Sequence, residues 1–209
     1  KKDLIKSGIS PKNVTVVYEG YDKDIFRHVP VKEHRYFLFV GTIQPRKNLE
    51  RLIIAFGRQS SVERLVIVGK KGWMSDEIYK LPKKLGVENR VKFLGYVPDE
   101  NLPALYSGAK ALLFPSLFEG FGLPIIEAQA CGCPVLTSNV SSMPEVAGKG
   151  ALYVNPYSED DIVKGMEIIS GLGKGEGRFM NRPYIIRAGF ENVKRFSWEK
   201  CARETMKLW

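Results

Sequence analysis

The chain has 209 residues, 44% hydrophobic and 26% charged, and its 32 Lys and Arg against 23 Asp and Glu leave a net charge of +9. These totals describe an ordinary soluble globular protein that can bury one good core and a small second one, which excludes a disordered chain. No apolar run approaches the roughly 18 residues of a membrane span, and the opening KKDLIKSG lacks the apolar stretch of a signal peptide.

Residues 1–33 hold one strand-like run, 14–18, and then EGYDKDIFRHVP, which has the character of a linker. Its Asp22-Lys23-Asp24 triple matches a DxD metal motif, but a triple this short arises often by chance, and no metal is expected there. From residue 35 apolar strand-like runs alternate with helical periodicity: 36–40 then 49–59, 65–68 then 76–85, 91–94 then 99–108, and 111–114 then a helix opening at about Leu123. A strand at 135–137, a short turn near Pro144, a strand at 151–154 and a helix at 159–170 capped by Ser158 continue the series. GLGKGEG at 171–177 mimics a phosphate loop but follows a helix instead of a strand, so it reads as an exposed flexible turn. A helix near 183–196 and a last amphipathic helix capped by Ser197 close the chain.

Strands that are apolar throughout and separated by helices imply an α/β fold, a Rossmann-like parallel sheet with helices on both faces. Ligands in such sheets lie beyond the carboxyl ends of the strands, where Thr42, Gly69, Tyr96, Ser116 and Ser138 fall. Cys131, Cys133 and Cys201 are too few for a disulfide framework, and CGCP has no second thiol pair to complete a zinc site. They are expected to be small buried residues in a reducing cytosol. His28 and His34 are the only histidines, which argues against His-based hydrolysis or His-metal catalysis. The excess of cations attracts phosphorylated ligands, nucleic acid or anionic lipid alike and does not choose among them.

The most informative segment is EGFGLPIIE, Glu119 to Glu127. A buried strand, a Gly-Phe-Gly turn and a helix start follow one another there. The first helical turn leaves backbone N–H groups unpaired and adds the positive end of the helix dipole, so it attracts phosphate. Gly120 and Gly122 remove the Cβ atoms that would keep a ligand from the Phe121, Gly122 and Leu123 amides. Glu119 and Glu127 lie at two depths of the same cleft, and carboxylates that accept from paired hydroxyls suit sugars. Taken alone, the segment reads more readily as a surface glutamate beside a helix-capping loop, and the rest of the chain reverses that preference. A second motif, FVGTIQPRKNLERLIIAF, places Arg46, Lys47 and Asn48 at the tip of the first strand. Alone PRKN is a basic turn; facing the glycine turn across one sheet, it forms a diphosphate clamp.

The set VGTIQPRKN, VIVGKKG, VKFLGYVPDENLPALYSGAKALLFPSLFEGFGLPIIEAQACGCPVLTSN and PEVAG resembles the nucleotide-binding C-terminal domain of retaining GT-B glycosyltransferases of family four, the glycosyl transferases of group one. The resemblance runs from about Val14 to the last helix. It implies a nucleoside-diphosphate-sugar donor, GDP- or UDP-linked, no metal or other cofactor, and an acceptor domain that precedes this one. Residues 1–33 then become the remnant of that N-terminal domain and its linker, 34–196 the nucleotide-sugar-binding domain, and 197–209 a helix that packs toward the missing half. It also implies roles. Lys47 and Arg46 contact the diphosphate, Glu119 holds the transferred sugar, and Glu127 binds the ribose hydroxyls. The Phe121, Gly122 and Leu123 amides, freed by Gly120, meet phosphate or sugar. The backbone at Tyr96 and Val97 reads the base, and Gly41, Thr42, Gly69, Lys70 and Ser116 line the cleft. Thr42 stands where some members carry an arginine, which shifts weight onto Arg46 and Lys47.

The function so implied is transfer of a hexose to a glycan or lipid-linked acceptor, with GDP-mannose the first choice of donor and the isolated piece inactive. A cytoplasmic protein is expected, at the inner face of the membrane if the acceptor is lipid-linked, with no nucleic-acid partner. A non-catalytic nucleotide-sugar-binding module and a GT-B sugar-nucleotide epimerase are the alternatives. A dinucleotide oxidoreductase needs G-x-G-x-x-G after the first strand, where the sequence is VGTIQPRKN.

Overall fold

The computed structural model describes residues 1–31, 36–59, 63–171 and 182–209. A short helix α1 (Lys2–Lys6) precedes an alternating series: β1 (Tyr36–Val40), α2 (Leu49–Gly57), β2 (Arg64–Val68), α3 (Asp76–Lys84), β3 (Val91–Gly95), α4 (Leu102–Gly108), β4 (Ala111–Phe114), α5 (Leu123–Ala130), β5 (Val135–Ser138), α6 (Met143–Ala147), β6 (Ala151–Val154), α7 (Glu159–Ser170), α8 (Arg182–Val193) and α9 (Trp198–Met206).

The six strands form one parallel sheet in the order β3-β2-β1-β4-β5-β6. β1 and β4, at its centre, are buried at every residue, as strands covered on both faces must be. Register follows from these apolar runs: Tyr36 pairs with Arg64 through Val40 with Val68, and Phe37 and Leu38 pair with Ala111 and Leu112.

Two helical layers cover the sheet. α2 packs between α3 and α7 and buries Leu49, Leu52, Ile53, Ala55 and Phe56, a 3.6-residue stripe. On the other side α5 packs against α4, α6 and α8. α5 is apolar nearly all round because it is covered nearly all round; Gln129, fully buried on it, donates to Ala147 O and Gly150 O and accepts from Asn192 Nδ2 at 2.8 Å. Every polar atom of that amide is thereby paired, which is what makes its burial tolerable. Pro82 lies inside α3 and Pro103 at the first turn of α4, where the 3₁₀ turn Asp99–Asn101 feeds the helix.

Some expectations differ from the structure and others agree with it; Cys201, expected to be buried, is half-buried. The run 14–18 is extended but joins no strand; its Tyr18 ring packs on Phe196 instead. The turn at Pro144 is the helix α6, and the helix expected at 183–196 spans Arg182–Val193. Asp22 Oδ1 accepts from the Asp24 and Ile25 amides, so the acidic triple builds a local turn. Gly171 caps α7 in the left-handed region at φ 78°, and the rest of GLGKGEG lies outside the described residues. Cys131 and Cys133 are buried free thiols, both raised by burial, Cys133 to about 12.

Candidate active site at the switch point of the sheet

A doubly wound sheet opens a crevice where the strand order reverses, outside the carboxyl ends of the two strands on either side. Here those strands are β1 and β4, and the loops that leave them are the two motifs. After Val40 the chain runs through Gly41 and Thr42 into a 3₁₀ turn, Pro45–Lys47, and Asn48 turns it into α2 with φ 60° and ψ 28°. After Phe114 it runs through Ser116 and Glu119 to Gly122, which starts α5 at φ 109°.

The two loops are stitched together. Asn48 Nδ2 donates to Pro115 O at 3.0 Å and Pro156 O at 2.7 Å, while its Oδ1 accepts from Arg51. The Leu117 amide donates to Arg46 O at 2.8 Å, and the Arg46 guanidinium donates to Phe118 O at 2.8 Å. Asn48 tolerates the left-handed region as few non-glycine residues do, and its side chain uses that backbone to cross between loops.

This stitching brings three charges together. Lys47 Nζ lies 2.7 Å from Glu119 Oε1, and Arg46 NH1 lies 2.7 Å from Glu119 Oε2, so both carboxylate oxygens are engaged. Lys47 and Glu119 are 7% and 6% exposed, whereas the Arg46 side chain is 42% exposed. The Lys47 ammonium also stands 5.0 Å over the Phe114 ring. Burial, the largest cause, pushes its pKa below the usual lysine value; the hydrogen bond and charge of Glu119 oppose this, and the Arg46 charge adds to the lowering. A buried ammonium that shares its one carboxylate with Arg46 favours a further anion.

The glycines and the main chain border this cluster. A Cβ on Gly41 would stand 3.6 Å from the Lys47 ammonium, and nothing lies within 4 Å of a Cβ placed on Gly120. A Cβ on Gly122 would stand 3.9 Å from the same Phe114 ring that underlies Lys47, so the glycine turn and the cation share a floor. Glu119 is held from behind: Ser141 Oγ donates to Glu119 O at 2.9 Å and accepts from its amide at 3.2 Å. Ser142 Oγ donates to Glu119 O and Phe121 O. Thr42 is exposed at the mouth. Ser116 Oγ is buried and has no hydrogen-bond partner among the described residues.

The other expected residues follow β2 and β3 or lie on α5. Gly69, at φ 150°, is a true close approach, since a Cβ there would fall 1.9 Å from Gly41 O. Lys70 O accepts from the Ile43 amide at 3.0 Å, and its ammonium stands 4.6 Å over the exposed Tyr96 ring. Val97 is half-buried against the core. Glu127 lies one helical turn past Leu123 and accepts from Tyr106 Oη at 2.8 Å. Burial raises its pKa to about 7, the Tyr106 hydrogen bond lowers it, and the Asp99 charge adds to the rise. Among the described residues no hydrogen bond or ion pair links Glu127 to the Arg46, Lys47 and Glu119 cluster.

Sequence reasoning missed four supports: Asn48 as a cross-link, Ser141 and Ser142 behind Glu119, and Tyr106 over Glu127. Only Asn48 left a signal, as an asparagine just before a helix. Among the described residues no cluster of His, Cys, Asp and Glu is arranged to hold a metal ion, and no helix is long and apolar enough to cross a membrane.

This geometry has relatives. Residues 21–176 match the family of glycosyl transferases group 1. The O-antigen chain mannosyltransferase B of Escherichia coli is 39% identical over 175 residues, 82% of this chain and 44% of that protein. The O-antigen chain mannosyltransferase RfbU of Salmonella typhimurium is 35% identical over 186 residues, 89% of this chain and 52% of that protein. Among solved structures, Anabaena Alr3699/HepE in complex with UDP and glucose superposes with a TM-score of 0.83 at 21% identity, over 99% of this chain and 59% of that one. The chain thus spans about half the length of the curated relatives it matches. With the family's model matched over most of its length and its sheet wound as in the GT-B fold, the chain belongs to the glycosyl transferases group 1 family.

Proposed function

We propose that this chain is the donor-binding domain of a retaining glycosyltransferase that moves a hexose from a nucleoside-diphosphate sugar to a glycan or lipid-linked acceptor. The observation that carries the reading is the meeting of Arg46 and Lys47 with Glu119 beside the α5 glycine turn, at the one crevice the strand order creates. The O-antigen mannosyltransferase relatives favour mannose and polysaccharide assembly, with GDP-mannose as donor. The Anabaena structures with UDP and with UDP-glucose keep the UDP sugars as the second donor class. The acceptor domain belongs to the part of the longer relatives that this chain does not match, and a lipid-linked acceptor would draw the +9 chain to an anionic membrane face.

Cleaving a sugar–phosphate bond leaves an oxocarbenium-like sugar and adds negative charge to the departing diphosphate. Lys47, Arg46 and the α5 N-terminus receive that charge, each preorganised donor worth on the order of 3 kcal/mol. In the free site Glu119 occupies both cations; when the diphosphate takes them, its carboxylate is released to the sugar hydroxyls. A carboxylate engaged by two cations, on a residue whose backbone two serines hold, suits a positioning role, with the departing phosphate taking the acceptor's proton. Glu127 receives the ribose hydroxyls, the backbone at Tyr96 and Val97 meets the base, and Gly69, Lys70, Thr42 and Ser116 line the wall.

Calorimetric titration with GDP, UDP and ADP tests the reading. Micromolar binding of at least one is expected, and a folded protein that binds none below the millimolar range refutes it. A panel of nucleotide sugars ranked by thermal stabilisation then assigns base and sugar, because a ligand of the native state raises the melting temperature.

A further inference from the structure

The middle residue of the glycine turn has no part in the chemistry above except through its amide, yet its ring is built into a cluster. The Phe121 centroid lies 5.5 Å from Phe196 at 86° and 6.3 Å from Tyr18 at 46°. Tyr18 and Phe196 close the triangle at 5.6 Å and 81°. Edge-to-face pairs at these separations are attractive beyond their buried area. Three chain segments far apart in sequence therefore meet on one another's rings: the extended run before β1, the donor turn, and the link between α8 and α9.

The cluster is locked from outside as well. Tyr18 Oη donates to Glu145 Oε1 at 2.7 Å, and the Arg195 guanidinium lies 5.6 Å over Tyr18 and 4.9 Å over Phe196 while both its terminal nitrogens donate to Glu145 O. Two residues beyond Tyr18, Gly20 is pressed on the start of α9, where a Cβ would fall 2.2 Å from Trp198 N. The donor turn's carbonyls are meanwhile fastened to Ser142 just before α6, the helix that carries Glu145.

Beyond that crossing both terminal segments are poorly buried. α9 has no buried residue, and Trp198, Met206, Leu208 and Trp209 are exposed, as are Leu4, Ile9 and Val16 at the other end. The Gly20 and Trp198 contact is thus where both terminal segments leave the packed sheet, and the Phe121 ring is the strut between it and the donor turn.

We propose that Phe121 is a positioning residue, whose ring ties the conformation of the donor turn to the crossing of the two terminal segments through Tyr18 and Phe196. A diphosphate that orders the Phe121, Gly122 and Leu123 amides then also orders the crossing. By linkage, whatever grips the terminal segments alters nucleotide affinity by the same factor. The inference rests on the donor-site reading, since it needs a ligand on the turn.

The test combines nucleotide titration with hydrogen exchange in the intact protein. GDP or UDP is expected to slow exchange of the amides around Gly20 and Trp198 as well as those of the turn. Tyr18→Ala, outside the donor pocket, should weaken nucleotide binding two- to tenfold, the size of one aromatic pair, and Tyr18→Phe should restore most of it. In a Phe121→Ala background, itself weaker by a similar factor, Tyr18→Ala should have no further effect, and nucleotide should no longer protect Trp198. Additive losses, or protection at Trp198 that survives Phe121→Ala, overturn the proposal while leaving nucleotide binding intact. No binding to the wild-type protein overturns the donor-site reading and this inference with it.

Discussion

Glu127 offers the most direct test of the site's electrostatics, because its carboxyl is held in the fold in a form it does not prefer in water. Its pKa rises from the usual 4.5 to about 7, chiefly by burial against α4 and Tyr106. Between those two values the folded protein binds a proton that the unfolded chain does not. The contribution of this carboxyl to stability is therefore fully present below about pH 4.5 and is lost as pH rises through 7, where a desolvated carboxylate must be kept ionised. A shift of this size corresponds to roughly 3 kcal/mol. Glu127→Gln keeps the shape and the acceptor for Tyr106 Oη and removes the charge. Urea denaturation at pH 5 and pH 8.5, followed by circular dichroism, should show the variant gaining on wild type by roughly 2–3 kcal/mol between the two conditions. Any fixed cost of the new amide cancels in that difference, as do all other titrations common to both proteins. A change below about 0.5 kcal/mol, within the scatter of such extrapolations, would refute the claim that this carboxyl is desolvated at a cost. A carboxyl kept at such expense beside a ligand cleft is the pattern of a functional group.

Lys47→Ala should weaken nucleoside diphosphate by roughly 100-fold and nucleoside by less than about twofold, the mark of a charge-assisted contact made to phosphate alone; equal losses in calorimetry would remove Lys47 from the phosphates. Glu119→Gln frees the two cations from their internal anion, so free nucleoside diphosphate should bind about tenfold more tightly while the advantage of the nucleotide sugar over it shrinks. A loss of diphosphate affinity in that variant would show that Glu119 does not compete for the cations. Asn48→Ala should cost about 3 kcal/mol, from two buried carbonyls left without a donor and from the left-handed backbone, and Asn48→Gly should recover about 1 kcal/mol of that in urea titrations. Ribose hydroxyls donating to Glu127 favour its ionised form, so nucleotide binding at pH 6 should release close to one proton. Calorimetry in two buffers of different ionisation heat reads that number, and zero would place the ribose elsewhere.

What could be read from the sequence was whatever has a local cause. The central strands are unbroken apolar runs because both faces are covered, and the two motif loops stand out because glycine, proline and adjacent charges interrupt those runs at the strand ends. What escaped has partners across the fold. Ser141 and Ser142 support Glu119 from 22 and 23 residues away, and Tyr106 meets Glu127 across 21, so neither a serine pair nor a tyrosine in a helix announces its role. The run 14–18 reads as a lone strand, but it joins no strand of the sheet, and its Tyr18 packs on Phe196 and Phe121 and donates to Glu145. The acidic triple looked like a metal motif for the same reason it makes a turn: aspartate oxygens satisfy nearby amides as readily as they do cations.

The composition of the charge cluster bears on why Thr42 can stand where an arginine might. A third cation at the mouth would share one carboxylate with Lys47 and Arg46, and like charges crowded in a low-dielectric pocket lower one another's pKa, as Arg46 already does to Lys47. With two cations and Glu119 the free site carries about one net positive charge, and its carboxylate is divided between both, each at 2.7 Å. A diphosphate entering this site therefore meets donors held in place by an internal anion, and the reorganisation needed is the swing of one carboxylate. The buried floor of Phe114, the cross-link of Asn48 and the serines behind Glu119 keep every other group where it is needed. That is preorganisation in the sense that matters for charge developing on a leaving group: the cost of desolvating Lys47 is met by folding, before any ligand arrives.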